Sequence, residues 1–159
     1  MKTIPLTQGR VALVSNCDYW FLRQWKWYYA KNGKSRGGYA VRTGSRPKRQ
    51  RIRMHCVVSE RMRLAGRVDH RNQDELDNRR RNLRPVNLSQ NQGNSHRRKN
   101  NTSGYRGVSK CGAGWFAQIT KNGKNWWLGN FRRKADAARA YNKAAKKYFG
   151  RFAVLNKVP

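Results

Sequence analysis

Acidic residues are scarce in this chain of 159 residues, which has 7 Asp and Glu against 37 Lys and Arg and a formal net charge of +30. Such a chain repels itself unless a polyanion neutralises it, and nucleic acid is the polyanion whose phosphates reward cationic contacts by releasing counterions. A solvated basic surface and a protein for anionic membranes are the alternatives. The 11% of aromatic residues and the regular turn signals argue against a disordered basic tail.

Long apolar runs, an export signal and paired cysteines are also missing. No stretch approaches the roughly 18 apolar residues that a membrane span needs. The start of the chain, MKTIPLTQGRVALVS, lacks the apolar core of a signal peptide. Cys17, Cys56 and Cys111 are an odd, scattered set with no CxxC pair, which excludes a disulfide framework and predicts no structural zinc. We therefore expect a protein of the reducing cytoplasm.

The first 64 residues hold 15 basic and 2 acidic residues, a net charge of +13. Alternation predicts a strand at 10–15 and two strands joined by a turn within 26–43. Asn16 or Asp18 is the candidate N-cap of a short helix that follows the first strand. The segment RQRIRMHCVVSERM is predicted to begin extended and to become helical near His55.

Residues 65–98 hold 8 basic and 4 acidic residues, a net charge of only +4. RVDH (67–70) and NLRPV (82–86) are predicted as short strands with an acidic loop between them. A short helix is predicted within 87–96, and the polar segment HRRKNNTSG reads as a linker. Four of the chain's 7 acidic residues fall within this segment: Asp69, Asp74, Glu75 and Asp77.

The last 61 residues, 99–159, carry 14 basic and 1 acidic residue, a net charge of +13. YRGVSK, WFAQIT and NWWLGNF predict three strands, and Asn122-Gly123 predicts the hairpin turn between the last two. Alanines and tyrosines at helical spacing predict a helix that ends at Gly150. By alternation, Trp115 and Trp126 face inward as core residues. A three-stranded sheet backed by one helix makes a complete small domain.

The Asp69-His70 pair carries the groups that phosphodiester hydrolysis needs. Histidine suits the general base near neutral pH, and a hard cation such as Mg²⁺ neutralises the charge that gathers on phosphoryl oxygens. Asp69 can supply one oxygen ligand, and an asparagine on a following helix can supply another. Neighbours on a regular strand point to opposite faces, so the hypothesis requires a strand end or bulge at this pair.

The patterns V-D-H, L-D-N-R-R-x-N-L-R and S-Q-N-Q resemble the HNH endonucleases of the homing type found in phages. The resemblance implies a ββα-metal fold with His70 as general base and Asp69 as a metal ligand. It implies that Asn82 braces the loop and orients the base, and that Asn91 is the last metal ligand, with Asn in place of His. The neighbouring asparagines Asn78 and Asn87 are the alternatives to Asn91.

Other residues near this motif have simpler interpretations. His55 in RMHCVV resembles the family's upstream M-H-R, with Cys56 where Arg is usual. The acidic residues Asp74, Glu75 and Asp77 are interpreted as turn and capping residues that pair with nearby arginines at the surface.

The segment from residue 100 to 156 resembles an AP2 domain in YRGV, WFAQI, WLGNF, AARAYNKAA and the closing LN. The resemblance implies that the sheet enters the major groove of DNA, where each base pair exposes a distinct pattern of donors and acceptors. Only Arg106 and Trp127 match the plant members at the reading positions, so their target is not transferred. The predicted reading residues are Arg106, Ser109, Gln118, Thr120, Asn125 and Trp127. Lys110, Lys121, Lys124 and Arg132 are the predicted phosphate contacts.

The sequence therefore predicts an α+β protein with a ββα-metal (HNH) core and β-rich extension at 1–98, a linker at 99–104 and an AP2-like three-stranded antiparallel sheet packed on one helix at 105–157. We expect a site-specific DNA endonuclease, dependent on Mg²⁺ or another divalent cation such as Mn²⁺, in a bacterial or phage-infected cytoplasm. Its partner is double-stranded DNA, with no membrane partner. One active site per chain favours nicking by a monomer or weak dimer. The alternatives are a non-catalytic DNA-binding regulator with a degenerate HNH scaffold and an RNA-binding protein.

Overall fold

The computed structural model describes residues 1–31, 37–45, 47, 49–87, 90–91 and 101–159. The chain divides into two compact units, Met1–Val86 and Asn87–Pro159. Both units are mixed α+β with small antiparallel sheets, which agrees with the predicted fold class at this level. The predicted helix within 87–96 lies mostly outside the described residues, although Gln90 and Asn91 are helical.

The first unit contains three small antiparallel sheets and two helices. The predicted strands at 10–15, 26–43, 67–70 and 82–86 are confirmed, and so is the change from strand to helix near His55. An unpredicted first strand pairs with the second. The elements are β1 (Lys2–Pro5), β2 (Val11–Val14), α1 (Asn16–Leu22), β3 (Tyr28–Lys31), β4 (Gly38–Thr43), β5 (Arg51–Arg53), α2 (Met54–Arg61), β6 (Arg67–His70), a 3₁₀ turn (Arg80–Asn82) and β7 (Leu83–Val86).

The core of the first unit forms where β2, α1 and α2 meet. Val14, Leu22, Met54 and Val58 are fully buried there. The predicted cap of α1 is wrong, because Ser15 occupies the N-cap position. Asp18 instead turns inward, where its carboxylate accepts hydrogen bonds from arginines on two other elements.

The second unit contains the three predicted strands, β8 (Val108–Cys111), β9 (Gly114–Lys121) and β10 (Lys124–Phe131), and the predicted helix α3 (Lys134–Phe149). Asn122 and Gly123 have φ of 51° and 76°, which confirms the hairpin turn. Gly150 ends α3 with φ of 50°. Alanines 137, 138, 144 and 145 of α3 are buried against the sheet, because their small side chains allow close approach.

The prediction that Trp126 is a core residue is wrong. Its register partner Ile119 is buried, yet 49% of Trp126 is exposed and its ring meets Tyr148 at 6.3 Å between centroids. Trp126 stands near the turn end of the hairpin, where Tyr148 gives partial cover. Trp115 does pack against the core, partly buried. No helix among the described residues is long and apolar enough to cross a membrane.

Candidate active site and nucleic-acid interface

The candidate active site lies on the β6–β7 hairpin, where Asp69 pairs with Arg84 and His70 pairs with Leu83. The Asp69 carboxylate accepts from Arg84 through Oδ2, at 3.1 Å from Nη2 and 3.3 Å from Nε. Residues paired across an antiparallel ladder share a face, which explains this ion pair. Strand β6 ends at His70, so the strand end that the catalytic hypothesis requires is present.

His70 is buried and has three neighbours that define its orientation. Its Nε2 lies 3.5 Å from Asn78 Oδ1, at the limit of a hydrogen bond. Because an amide Oδ1 can only accept, this hydrogen bond belongs to the tautomer that carries its proton on Nε2. The His55 ring meets the His70 ring edge-on at 5.1 Å between centroids, and the Tyr39 ring lies at 6.5 Å.

Burial keeps both histidines neutral. It lowers the pKa of His70 below the ordinary value of 6.5, although the Asn78 bond and the carboxylates of Glu75 and Asp69 act in the opposite direction. Burial also lowers the pKa of His55 to about 3, with further contributions from His70 and Arg53. A neutral imidazole at neutral pH can accept a proton, as a general base must.

The loop between β6 and β7 is held together by Asn82. The Asn82 Nδ2 donates to Asn72 Oδ1 at 2.9 Å and to the Asp77 carbonyl at 2.8 Å, and its Oδ1 accepts from the Asn72 amide at 3.1 Å. These three bonds join both ends of the loop. The side chain that meets His70, however, is that of Asn78.

Sequence reasoning considered Asn78 only as an alternative metal ligand. Its side chain is buried, and its Nδ2 donates to the Leu76 carbonyl at 3.1 Å, which directs Oδ1 towards His70. Its backbone amide donates to the Leu13 carbonyl at 2.8 Å, and the Leu13 amide donates to Leu76 at 2.9 Å. Strand β2 therefore fixes the loop from outside, a long-range pairing that no local pattern announces.

The acidic residues of the loop serve its conformation. Asp74 accepts from the Leu76 amide at 3.0 Å, as a turn residue does, which confirms that interpretation. Asp77 accepts from Arg79 Nε at 2.6 Å and Nη2 at 2.5 Å, and from Asn72 Nδ2 at 2.9 Å. The expectation of a surface ion pair is wrong for Asp77, because its carboxylate is buried, with only 1% of the residue exposed.

The predicted metal ligands fall in different units, Asp69 in the first and Asn91 in the second. Within the described residues, no group of three or more His, Cys, Asp and Glu side chains could hold a metal ion. Asn87, the alternative to Asn91, has its side-chain oxygen on the Gln90 amide at 2.8 Å, as a helix cap does. Asn91 is exposed, and its backbone amide donates to the Asn87 carbonyl at 3.0 Å.

The outer face of the second unit's sheet gathers most of the predicted reading residues. Gln118 pairs with Trp127, and Thr120 pairs with Asn125. Ser109 pairs with Phe116, whose ring stacks on Trp127 at 5.5 Å and 10°. Trp127 is 61% exposed, so a large aromatic surface is presented to solvent beside these polar groups.

The predicted phosphate contacts lie elsewhere on the unit. Lys110 pairs with the inward-facing Trp115, and Lys121 lies two residues after the buried Ile119 on β9. Both lysines therefore belong to the helix-facing side of the sheet. The Lys121 ammonium lies 4.9 Å from the centroid of the Tyr148 ring. Lys124 lies in the hairpin and Arg132 follows β10, and both are exposed.

Arg106 is held at the edge of this sheet by the closing Asn156. Asn156 Oδ1 accepts from the Arg106 amide at 2.7 Å, and Asn156 Nδ2 donates to the Arg106 carbonyl at 3.2 Å. Gly107 follows with φ of 65°, where a Cβ would overlap the Tyr141 ring and the Gln118 carbonyl. The motif letters RG and LN therefore have a physical basis.

Comparison with curated proteins finds similarity to a protein of Acanthamoeba polyphaga mimivirus named "Uncharacterized HNH endonuclease L560". The two are 29% identical over 153 residues, which cover 95% of this chain and 77% of the viral protein. No family model and no solved structure matches this chain. The similarity supports an HNH nuclease family.

Proposed function

We propose that this protein is a divalent-metal-dependent endonuclease that hydrolyses one phosphodiester of double-stranded DNA. The observation that carries the proposal is the buried His70 at the end of β6, directly after Asp69 in the chain and in contact with Asn78 of the loop. The similarity to a protein named as an HNH endonuclease supports the same chemistry. In this proposal the first unit cuts the DNA, and the second unit, as an AP2-like domain, binds the DNA target sequence.

His70 acts as the general base. The neutral ring, oriented by the contact between its Nε2 and Asn78, accepts a proton from a water molecule as the water attacks phosphorus. The bond from phosphorus to the sugar oxygen breaks on the opposite side. Asn82 holds the loop that carries Asn78, so it acts through that loop.

Mg²⁺, or another divalent cation such as Mn²⁺, would be held by Asp69, and the HNH resemblance implies the side-chain oxygen of Asn91 as the second ligand. The donor set fits, because both supply oxygen and Mg²⁺ keeps several waters when protein ligands are few. When bound, the cation stabilises negative charge on the phosphoryl and departing oxygens.

The second unit is proposed to read DNA with the outer face of its sheet. Gln118 and Asn125 are amides that can address adenine in the major groove, and Trp127 can pack on a sugar or base. One active site per chain favours nicking, and we propose an enzyme similar to the HNH homing endonucleases of phages. Cutting of both strands would then need a dimer or a second binding event.

The test is incubation of supercoiled plasmid with and without Mg²⁺, using the parent protein and His70→Ala. We expect metal-dependent nicked circles from the parent and a rate lower by about 10²–10⁴-fold in the variant, the range for loss of a general base. Trp20→Ala, an exposed side chain of the first unit outside the candidate site, is the control and should cut like the parent. Equal cutting by His70→Ala rejects His70 as the base. Duplex binding without cutting in any divalent metal supports the non-catalytic regulator.

A further inference from the structure

A cavity of about 460 Å³ lies on one face of the sheet β3–β4–β5. The register pairs Ala30 with Tyr39 and Val41 with Arg53, so these four residues share that face. The opposite face is covered, since Ala40 packs into the core of the first unit. We call this cavity the basic trough, with a floor of Ala30 and Val41 and walls of Lys31, Arg51, Arg53 and Tyr39.

The charge of the basic trough defines the kind of ligand. Lys31, Arg51 and Arg53 line it, and none of its described lining residues is Asp or Glu, although the carboxylates of Glu75 and Asp69 act on the Tyr39 wall. Three cations around one cavity repel one another unless an anion joins them. The small floor residues leave an apolar surface between these cations, and the volume lies in the usual range of small-ligand sites. An anion with an uncharged flat body fits this combination better than a bare anion does.

The basic trough adjoins the candidate active site through Tyr39. The Tyr39 ring lies 5.2 Å from the His55 ring and 6.5 Å from the His70 ring, between centroids. Arg53 lies over the Tyr39 ring, with its Cζ 4.9 Å from the ring centroid. Arg53 is also the N-cap of α2, whose first turn holds no acidic residue and whose cap shows no side-chain hydrogen bond in the described structure. Free amides at a helix start favour phosphate.

We propose that the basic trough binds the nucleotide next to the cleaved phosphodiester, with Arg51 and Arg53 on its phosphates and its sugar or base over Ala30 and Val41. This assignment rests on the proposed function, because it takes the strand at His70 to be the strand that is cut. It gives the first unit a specific hold on the DNA beside the reaction, in addition to the second unit's sheet.

Binding is tested first, without cutting, by NMR titration of the full-length protein in EDTA. The probe is the 5′-phosphorylated thymidine dinucleotide, and the signals are the Nε–H groups of Arg51 and Arg53, with Arg23 of α1 as the reference. We expect saturable shifts at the two trough arginines and an apparent dissociation constant about tenfold higher in Arg51→Ala, the scale of one lost charged hydrogen bond. Arg23→Ala should change it less than twofold.

Two outcomes overturn the assignment. Shifts spread evenly over the arginines would show only non-specific attraction to a basic protein. Equal affinity for inorganic phosphate and the dinucleotide would show a site for free phosphate with no nucleotide body. Plasmid nicking then separates this inference from the proposed function. If the parent nicks and Arg51→Ala raises the KM for plasmid no more than Arg23→Ala does, the trough assignment fails alone, whereas a parent that never nicks refutes the function whether or not the trough binds.

Discussion

The two units use their few acidic residues in opposite ways. The first unit buries Asp18 and Asp77 completely or nearly so, each against arginines. The second unit has one acidic residue, Asp136, whose ion pair with Arg139 is about half exposed and contributes little. An exposed pair can be lost at small cost, whereas a buried carboxylate must keep its partners. Asp77 therefore fixes the loop that carries Asn78, and Asp18 joins α1 to Arg61 of α2 and Arg80 of the 3₁₀ turn.

The buried histidines of the first unit predict the largest difference between the units, which is a loss of stability of the first unit on acidification. The folded pKa of His55 is about 3, below the ordinary 6.5, mainly through burial and also through His70 and Arg53, and Tyr39 closes the other side. The unfolded chain therefore gains a proton that the folded unit excludes. The free energy of unfolding of the first unit should fall by about 3 kcal/mol between pH 7 and pH 4, at roughly 1.4 kcal/mol per pH unit below pH 6.5.

Amide hydrogen exchange read by mass spectrometry separates the two units in this test. Peptides from the first unit should lose protection as the pH falls from 7 to 4, while those from the second should lose much less, once intrinsic exchange rates are corrected. His55→Phe keeps a ring against His70 without a titrating group, so it should remove most of the difference. Equal loss in parent and variant would mean that His55 is protonated in the folded protein.

The strands and turns of both units could largely be predicted from the sequence. Alternation and the Asn122-Gly123 turn are local signals, and the structure confirms the elements that they indicate. The inward prediction for Trp126 failed because alternation gives the side of a sheet but not how far a helix covers it.

The candidate site could be predicted only in part, because some of its contacts join residues that are far apart in the sequence. The motif letters located Asp69, His70 and Asn82, and all three lie on the β6–β7 hairpin or its loop. The contact from Asn78 to His70 depends on how Leu13 holds the loop, which is a pairing over 65 positions (78 minus 13). Asp18 was misread as a cap because its arginine partners lie 43 and 62 positions away.

Asp18→Asn tests the ion-paired side of the comparison at a smaller scale. Arg80 and Arg61 hold the pKa of Asp18 below its ordinary value even though burial, the largest single effect, raises it. Removing the charge should destabilise the first unit by about 2 kcal/mol, less than the 3–5 kcal/mol of a fully buried pair because both arginines reach water. Urea unfolding followed by hydrogen exchange of the first unit measures this change.

The pH dependence gives Asp18→Asn its own control. The stabilisation from Asp18 is complete above its unfolded pKa near 3.8 and disappears only as the pH falls through the lower folded pKa. The deficit of the variant should thus be constant between pH 5 and pH 7, where the effect of His55 already changes. Asp136→Asn in the second unit should change stability by less than about 0.5 kcal/mol. A similar loss in both variants would contradict the contrast between the units.

Trp127→Ala tests whether the second unit contributes binding separately from chemistry. Its ring is 61% exposed and stacks on Phe116 on the proposed reading face, so its loss should weaken binding to target duplex by about tenfold, within the 1–3 kcal/mol typical of aromatic contacts with bases. The kcat at saturating DNA should stay unchanged. Trp20→Ala, an equally exposed tryptophan at 66% in the first unit, is the control in gel-shift and nicking assays. A fall in kcat without weaker binding would place Trp127 in the chemistry instead.

Asn78→Ala predicts the smallest effect and tests how the first unit orients its base. The hydrogen bond from His70 Nε2 to Asn78 Oδ1 is long at 3.5 Å, so its loss should lower kcat by only about 2- to 10-fold, as expected for one neutral hydrogen bond of 0.5–1.5 kcal/mol. Asn87→Ala, on a helix cap, should not change the rate of nicking. The KM should stay constant because Asn78 is buried and acts through His70. If Asn78→Ala nicks at the rate of the parent while the fold is intact, the acceptor on Nε2 has no part in orienting the base, and the ring contacts with His55 and Tyr39 are sufficient.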